Sequence, residues 1–160
     1  MATAPAPLAI DRAAPVERIQ LDETSWVDVV RGFVRDADDL LDDLLARYAW
    51  REASMFRYEV TRTEPRLHAV VRDETQLPAA LRQTKLHLRS AYGVGFDGPG
   101  LLRYRDGRDS VGFHRDRSMR WLDDTLIAIA VFGAPRPFVF RPYGIGYEDS
   151  SRDVDVAPGR

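Results

Sequence analysis

Two side chains with metal-binding chemistry, His114 and Asp116, stand two positions apart at the end of the stretch Leu101–Asp116, LLRYRDGRDSVGFHRD. Side chains along a strand alternate faces, so an imidazole and a carboxylate at i and i+2 project from the same face of an extended backbone. Together they make a bidentate start on a metal ion. A second histidine from elsewhere would complete the two-His, one-carboxylate triad that leaves positions open on non-heme Fe(II). The tripeptide alone is a weak signal, because three residues recur by chance and a solvated pair reads the same way. Its surroundings add weight: Val111 and Phe113 alternate ahead of it, and the polar turn Tyr104–Asp109 around Gly107 separates two short apolar runs.

Short strands and two helices must position that pair. Trp26–Val34 alternates as a strand, with Gly32 as a bulge or turn. A helix follows, with Asp36, Asp38 and Asp39 loading its first turn and Leu40, Leu41, Leu44, Leu45 and Tyr48 forming an apolar stripe. That stripe reads as core packing, with Asp42 and Asp43 solvated and Arg47 within reach of an exposed ion pair. Ser54–Thr61 and Leu67–Arg72 read as strands joined by a turn containing Pro65. A second helix covers Leu77–Tyr92, opened by Pro78 and stopped by Gly93, with His87 on its surface. Strands are then expected at Leu101–Tyr104, through the His-x-Asp pair, at Leu126–Phe132 buried on both faces, at Pro137–Arg141 and from Arg152.

Bulk properties narrow the class. The length suits one domain, read as residues 21–160 behind a disordered Ala- and Pro-rich arm at residues 1–20. Cysteine is absent, which excludes a disulfide framework and a thiolate metal site. No apolar run approaches the roughly 18 to 20 residues of a membrane span, and the prolines at 5, 7 and 15 interrupt any apolar signal core. A cytoplasmic protein is expected. The net charge of −2 is unevenly spread: residues 61–121 carry 12 basic and 7 acidic groups, against 7 and 12 in residues 1–60. A positive field around the candidate site would attract phosphate backbones, although Arg outnumbers Lys 22 to 1 throughout and points to a compositional bias as well.

Tyr104, Gly107, Asp109, His114 and Asp116 together resemble the signature of the AlkB family of iron(II)- and 2-oxoglutarate-dependent dioxygenases. Gly133–Pro142 (GAPRPFVFRP) is similar to the family's next strand pair, and MFRY at 55–58, PRL at 65–67 and YGVGFDG at 92–98 resemble its nucleic-acid repair branch. The likeness runs from about Ser25 to the last residue. Leu102 stands where the family usually has Asn. The resemblance places the distal histidine and two co-substrate arginines in segments that would follow Arg160, so the domain is expected to be incomplete at its C-terminus.

The resemblance implies an α+β, mainly β fold, a double-stranded β-helix (jelly roll) with two packing helices and its last strands missing. It implies Fe(II) held by His114 and Asp116, 2-oxoglutarate contacted by Tyr104, and oxidative demethylation of alkylated nucleobases in DNA or RNA, with formaldehyde released. Met55, Phe56 and Tyr58 become candidates for a lid stacking on the base, and Arg115 for a phosphate contact. Arg115, Arg117 and Arg141 read slightly more as solvated than as phosphate contacts, and His68 as a lid or surface residue in preference to a third ligand. Two alternatives stand beside this reading: a degenerate, non-catalytic jelly-roll binding module, and a 2-oxoglutarate oxygenase acting on a protein or small molecule.

Overall fold

The computed structural model describes residues 9–57, 60–116 and 125–156, with the backbone alone over 54–57 and 60–62. Two compact units emerge. One holds residues 39–114 together with Ala9, and the other holds residues 10–38 and 115–156.

The first unit is built on a three-stranded antiparallel sheet ordered β3 (Arg51–Arg57), β4 (Val60–Val70) and β5 (Gly100–Arg103). Its helices are α1 (Ala37–Arg47), whose body from Asp39 lies in this unit, and α2 (Ala79–Tyr92). Leu40 and Leu44, four residues apart, are the buried positions of α1. Arg47 grips Asp43 at 2.7 Å one turn earlier, as the spacing predicts. On α2 the buried positions are Ala80 and Thr84, with Leu77 buried just before the helix. Gly93 ends α2 at φ +69°, and its N–H donates to Arg89 O at 3.0 Å. Only glycine adopts that left-handed angle at little cost.

Pro65 lies inside β4 and not in the turn expected between two strands. Around it the register passes from Glu52↔Leu67 to Ser54↔Thr63, so β4 carries extra residues opposite Ala53. A bulge is where a strand tolerates a residue without an N–H. The Pro65 carbonyl still accepts from Ser110 N–H at 2.9 Å.

The second unit contains two hairpins. β1 (Val16–Gln20) pairs antiparallel with β2 (Trp26–Val30), in register Val16↔Val30 to Gln20↔Trp26. Asp22 closes the turn by accepting from the N–H groups of Thr24 and Ser25, and these bonds hold its carboxyl below the usual range. Across the hairpin Arg18 forks onto Asp28 at 2.7 Å and lies 4.1 Å over the Trp26 ring. Of the stretch read as an N-terminal arm, residues 1–8 lie outside the described residues. Ile10 is buried and bridges Val34, and residues 16–20 form β1. β2 is shorter than expected because Gly32, at φ +65°, breaks it before Val34.

β6 (Val139–Phe140) and β7 (Val154–Asp155) form the second hairpin. Arg141 follows β6 with its side chain 10% exposed, and it forks onto Asp153 at 2.6 Å while donating to Tyr147 O. That corrects the solvated reading of Arg141, which serves as the clasp of the loop between the two strands.

Two expected strands are absent. Residues 110–116 and 125–132 form no strand, and Ile127, Ile129 and Val131 are exposed at 53%, 59% and 40%. An apolar run becomes a buried strand only when neighbours supply its ladder, and no strand pairs with this one among the described residues. The fold class is therefore mixed, with antiparallel strands and two helices.

Candidate metal and co-substrate site

β4 and β5 set the stage. Their register, His68↔Leu102 and Leu67↔Arg103, delivers Tyr104 directly off the end of β5 beside the middle of β4. Arg66 Nη1 donates to the Tyr104 hydroxyl at 3.2 Å and Arg66 Nε donates to Glu64 at 3.0 Å. His68 Nε2 lies 2.7 Å from the same Glu64 oxygen, so Nε2 carries a proton there. Burial pushes the Glu64 carboxyl up, but the hydrogen bonds from Arg66 and His68 outweigh it, and the net displacement is downward.

The turn after Tyr104 is held from within. Asp109 is buried, accepts from Arg105 N–H at 2.8 Å, and takes the Arg105 guanidinium at 2.7 and 2.9 Å. These bonds, joined by one that Arg105 Nη1 donates to Glu52, hold the Arg105 guanidinium firmly protonated. Arg108 pairs with Asp106 at 2.7 Å. A recess of about 420 Å³ opens between this turn and Glu64, and its charges are largely neutralised by these pairs.

His114 ends the first unit, exposed, with Nδ1 2.9 Å from Gly112 O. A carbonyl only accepts, so Nδ1 carries a proton in this bond. Metal-binding histidines commonly show this outer hydrogen bond, which fixes the ligating tautomer. It takes over part of the orienting role expected of a strand at this position. Asp116 is exposed in the second unit, where Arg115 lies 4.4 Å over the Tyr143 ring. An imidazole and a carboxylate two positions apart in the sequence are donor types that a divalent ion such as Fe(II) accepts. Among the described residues no group of three His, Cys, Asp or Glu could hold a metal.

The lid candidates Met55 and Phe56 fall on β3, paired with Arg62 and Thr61, and Tyr58 lies outside the described residues, as does Arg117. His87 is half-buried on α2, where a surface position was expected. Glu64 and Arg66 are functional candidates that the sequence reading missed. Their signal was the alternation Glu64-x-Arg66-x-His68, which places three polar groups on one side of a strand.

Comparison with known proteins agrees with the resemblance. The chain is 30% identical over 154 residues to the human alpha-ketoglutarate-dependent dioxygenase alkB homolog 3, a match covering 86% of this chain and 54% of that protein. The rat protein of the same name matches at 30% over 154 residues, covering 86% and 52%. Human DNA oxidative demethylase ALKBH2 is 36% identical over 76 residues, covering 48% of this chain and 29% of that one. The chain spans about half the length of the alkB homolog 3 proteins it matches. No family model and no solved structure matches. The chain is AlkB-like, and its curated homologues are AlkB-family 2-oxoglutarate-dependent dioxygenases.

Proposed function

We propose that the chain carries part of the active site of an Fe(II)- and 2-oxoglutarate-dependent dioxygenase that demethylates alkylated nucleobases in DNA or RNA, on a jelly-roll scaffold. The observation that carries the reading is His114, with its Nδ1 committed to Gly112 O and Asp116 two positions on.

In this proposal His114 and Asp116 supply two ligands, and a third protein ligand completes the set. Bound iron with 2-oxoglutarate and oxygen would supply the oxidation: one oxygen atom goes into succinate as the co-substrate loses CO2, the other into a C–H bond of the N-methyl group, and the resulting hydroxymethyl amine breaks its N–C bond to release formaldehyde. The chain's own groups position the reactants. Tyr104 donates its hydroxyl to a co-substrate carboxylate. Arg115 meets a phosphate of the substrate strand, and Met55, Phe56 and Tyr58 form the apolar cover for the base. The excess of basic groups in residues 61–121 draws the polyanion to this part of the chain.

Formaldehyde release from methylated single- and double-stranded oligonucleotides tests the reading. Release that requires 2-oxoglutarate and disappears in both His114→Ala and Asp116→Ala is the expected result. Decarboxylation of 2-oxoglutarate without any nucleic-acid product would move the substrate to a protein or small molecule. Neither reaction in the full-length protein would leave a binding module.

A further inference from the structure

Glu64, Arg66 and His68 meet on β4 beside Tyr104, and no role in the proposed chemistry has yet absorbed them. The side chains of Glu64 and Arg66 are only 17% and 18% exposed, so their bonds are poorly screened by water. A guanidinium has five donors and no acceptor. The Tyr104 oxygen can therefore only accept from Arg66, and the phenolic proton is directed to an acceptor other than Arg66. A phenol that accepts from a cation is also a better donor through its own O–H, because polarisation runs along the chain of bonds. Arg66 cannot swing away easily, since Glu64 fixes its Nε edge while Nη1 reaches Tyr104.

We propose that Arg66, oriented by Glu64, is a positioning residue that aims the Tyr104 hydroxyl at a carboxylate of the co-substrate and places a positive charge behind it. This rests on the reading of Tyr104 as a 2-oxoglutarate contact. Arg66 acts through Tyr104, and its fork is what spans Glu64 and the phenol at once. A lysine, one point charge on a flexible stem, does not reproduce that fork.

The test is calorimetric binding of 2-oxoglutarate to the full-length protein loaded with Mn(II), as a double-mutant cycle. Arg66→Ala and Tyr104→Phe each weaken binding about tenfold, the scale of one hydrogen bond to a charged group. The double variant binds no more weakly than Tyr104→Phe alone, because Arg66 has nothing left to aim. Additive losses would show that Arg66 acts independently and overturn its positioning role. If Arg66→Ala fails to fold by circular dichroism, Arg66→Lys carries the same cycle, and unimpaired binding by it overturns the role of the fork. A second readout needs no co-substrate: the ring resonance of 13C-labelled Tyr104 shifts in Arg66→Ala, and an unmoved resonance overturns the contact. Wild-type protein that does not bind 2-oxoglutarate, or Tyr104→Phe that binds it as wild type does, overturns the reading of Tyr104 and this inference together. Additivity overturns the inference alone.

Discussion

His114 shows how much one hydrogen bond can specify. Nδ1 donates to Gly112 O, and a proton held there is the tautomer that offers Nε2 to a ligand. Because the partner is backbone, no substitution at residue 112 that keeps the turn removes it, and under the proposed function metal affinity would depend on the two side chains themselves. His114→Ala and Asp116→Ala should each weaken Mn(II) binding by more than the roughly 10- to 100-fold that loss of an outer partner costs, as read by calorimetry. Retained affinity in either variant would remove that residue from the ligand set. Glu64 makes a separate prediction. Its folded carboxyl is displaced downward from the ordinary value of 4.5. A depressed carboxylate contributes stability that is present above its unfolded value and lost as pH falls through the lower folded one. Acid unfolding followed by circular dichroism should therefore steepen below about pH 4.5 in the wild type, and more shallowly in Glu64→Gln. An identical slope in both would show that the carboxylate is not held as described.

Elements differ in how far they could be read from sequence, and the difference follows where their hydrogen bonds go. Both helices were legible because their bonds are local and their ends are written in the chain: the acids before α1, Pro78 and Gly93 around α2. β1 was missed although Val16–Gln20 alternates and Asp22–Ser25 is a turn cluster, because the prolines ahead of it made the whole stretch look like an arm. Residues 125–132 failed in the opposite direction, since an apolar run states what a segment would do with neighbours, not whether they are there. Amide hydrogen exchange checks this: residues 125–132 should exchange like loop, while β4, paired on both sides, stays protected. Protection of 125–132 would restore the buried strand. The site was half legible. His114, Asp116 and Tyr104 carry a spacing that can be recognised, whereas Arg66 and Glu64 gain meaning only from the β4–β5 register. The turn that joins Tyr104 to the candidate ligands depends on Asp109, whose buried carboxylate satisfies the Arg105 N–H. Asp109→Ala leaves that donor without its partner and should cost about 1–3 kcal/mol, measured by denaturant unfolding. A change of a few tenths would mean the turn holds without it.

On the scale of the whole chain, charge is arranged against the net value. A protein of net −2 is repelled on average by a polyanion, so affinity for nucleic acid has to come from a local excess, and residues 61–121 hold one of five positive charges. Much of that excess is already committed: Arg66, Arg105 and Arg108 are paired with carboxylates, and Lys85 is paired with Glu74. Ion-paired groups release fewer counterions when a phosphate approaches, because each must first give up its partner. For a single strand the logarithm of affinity falls with the logarithm of salt by about 0.7 per phosphate neutralised. Five contacts would give a slope of about −3.5, and the internal pairs should leave it shallower. Fluorescence anisotropy with a methylated single-stranded oligonucleotide, between low and physiological salt, reads that slope directly. Arg115→Ala should reduce its magnitude by about 0.7, as expected for one lost phosphate contact, and a slope unchanged by that substitution would place Arg115 with Tyr143 in the folded chain and not on the substrate.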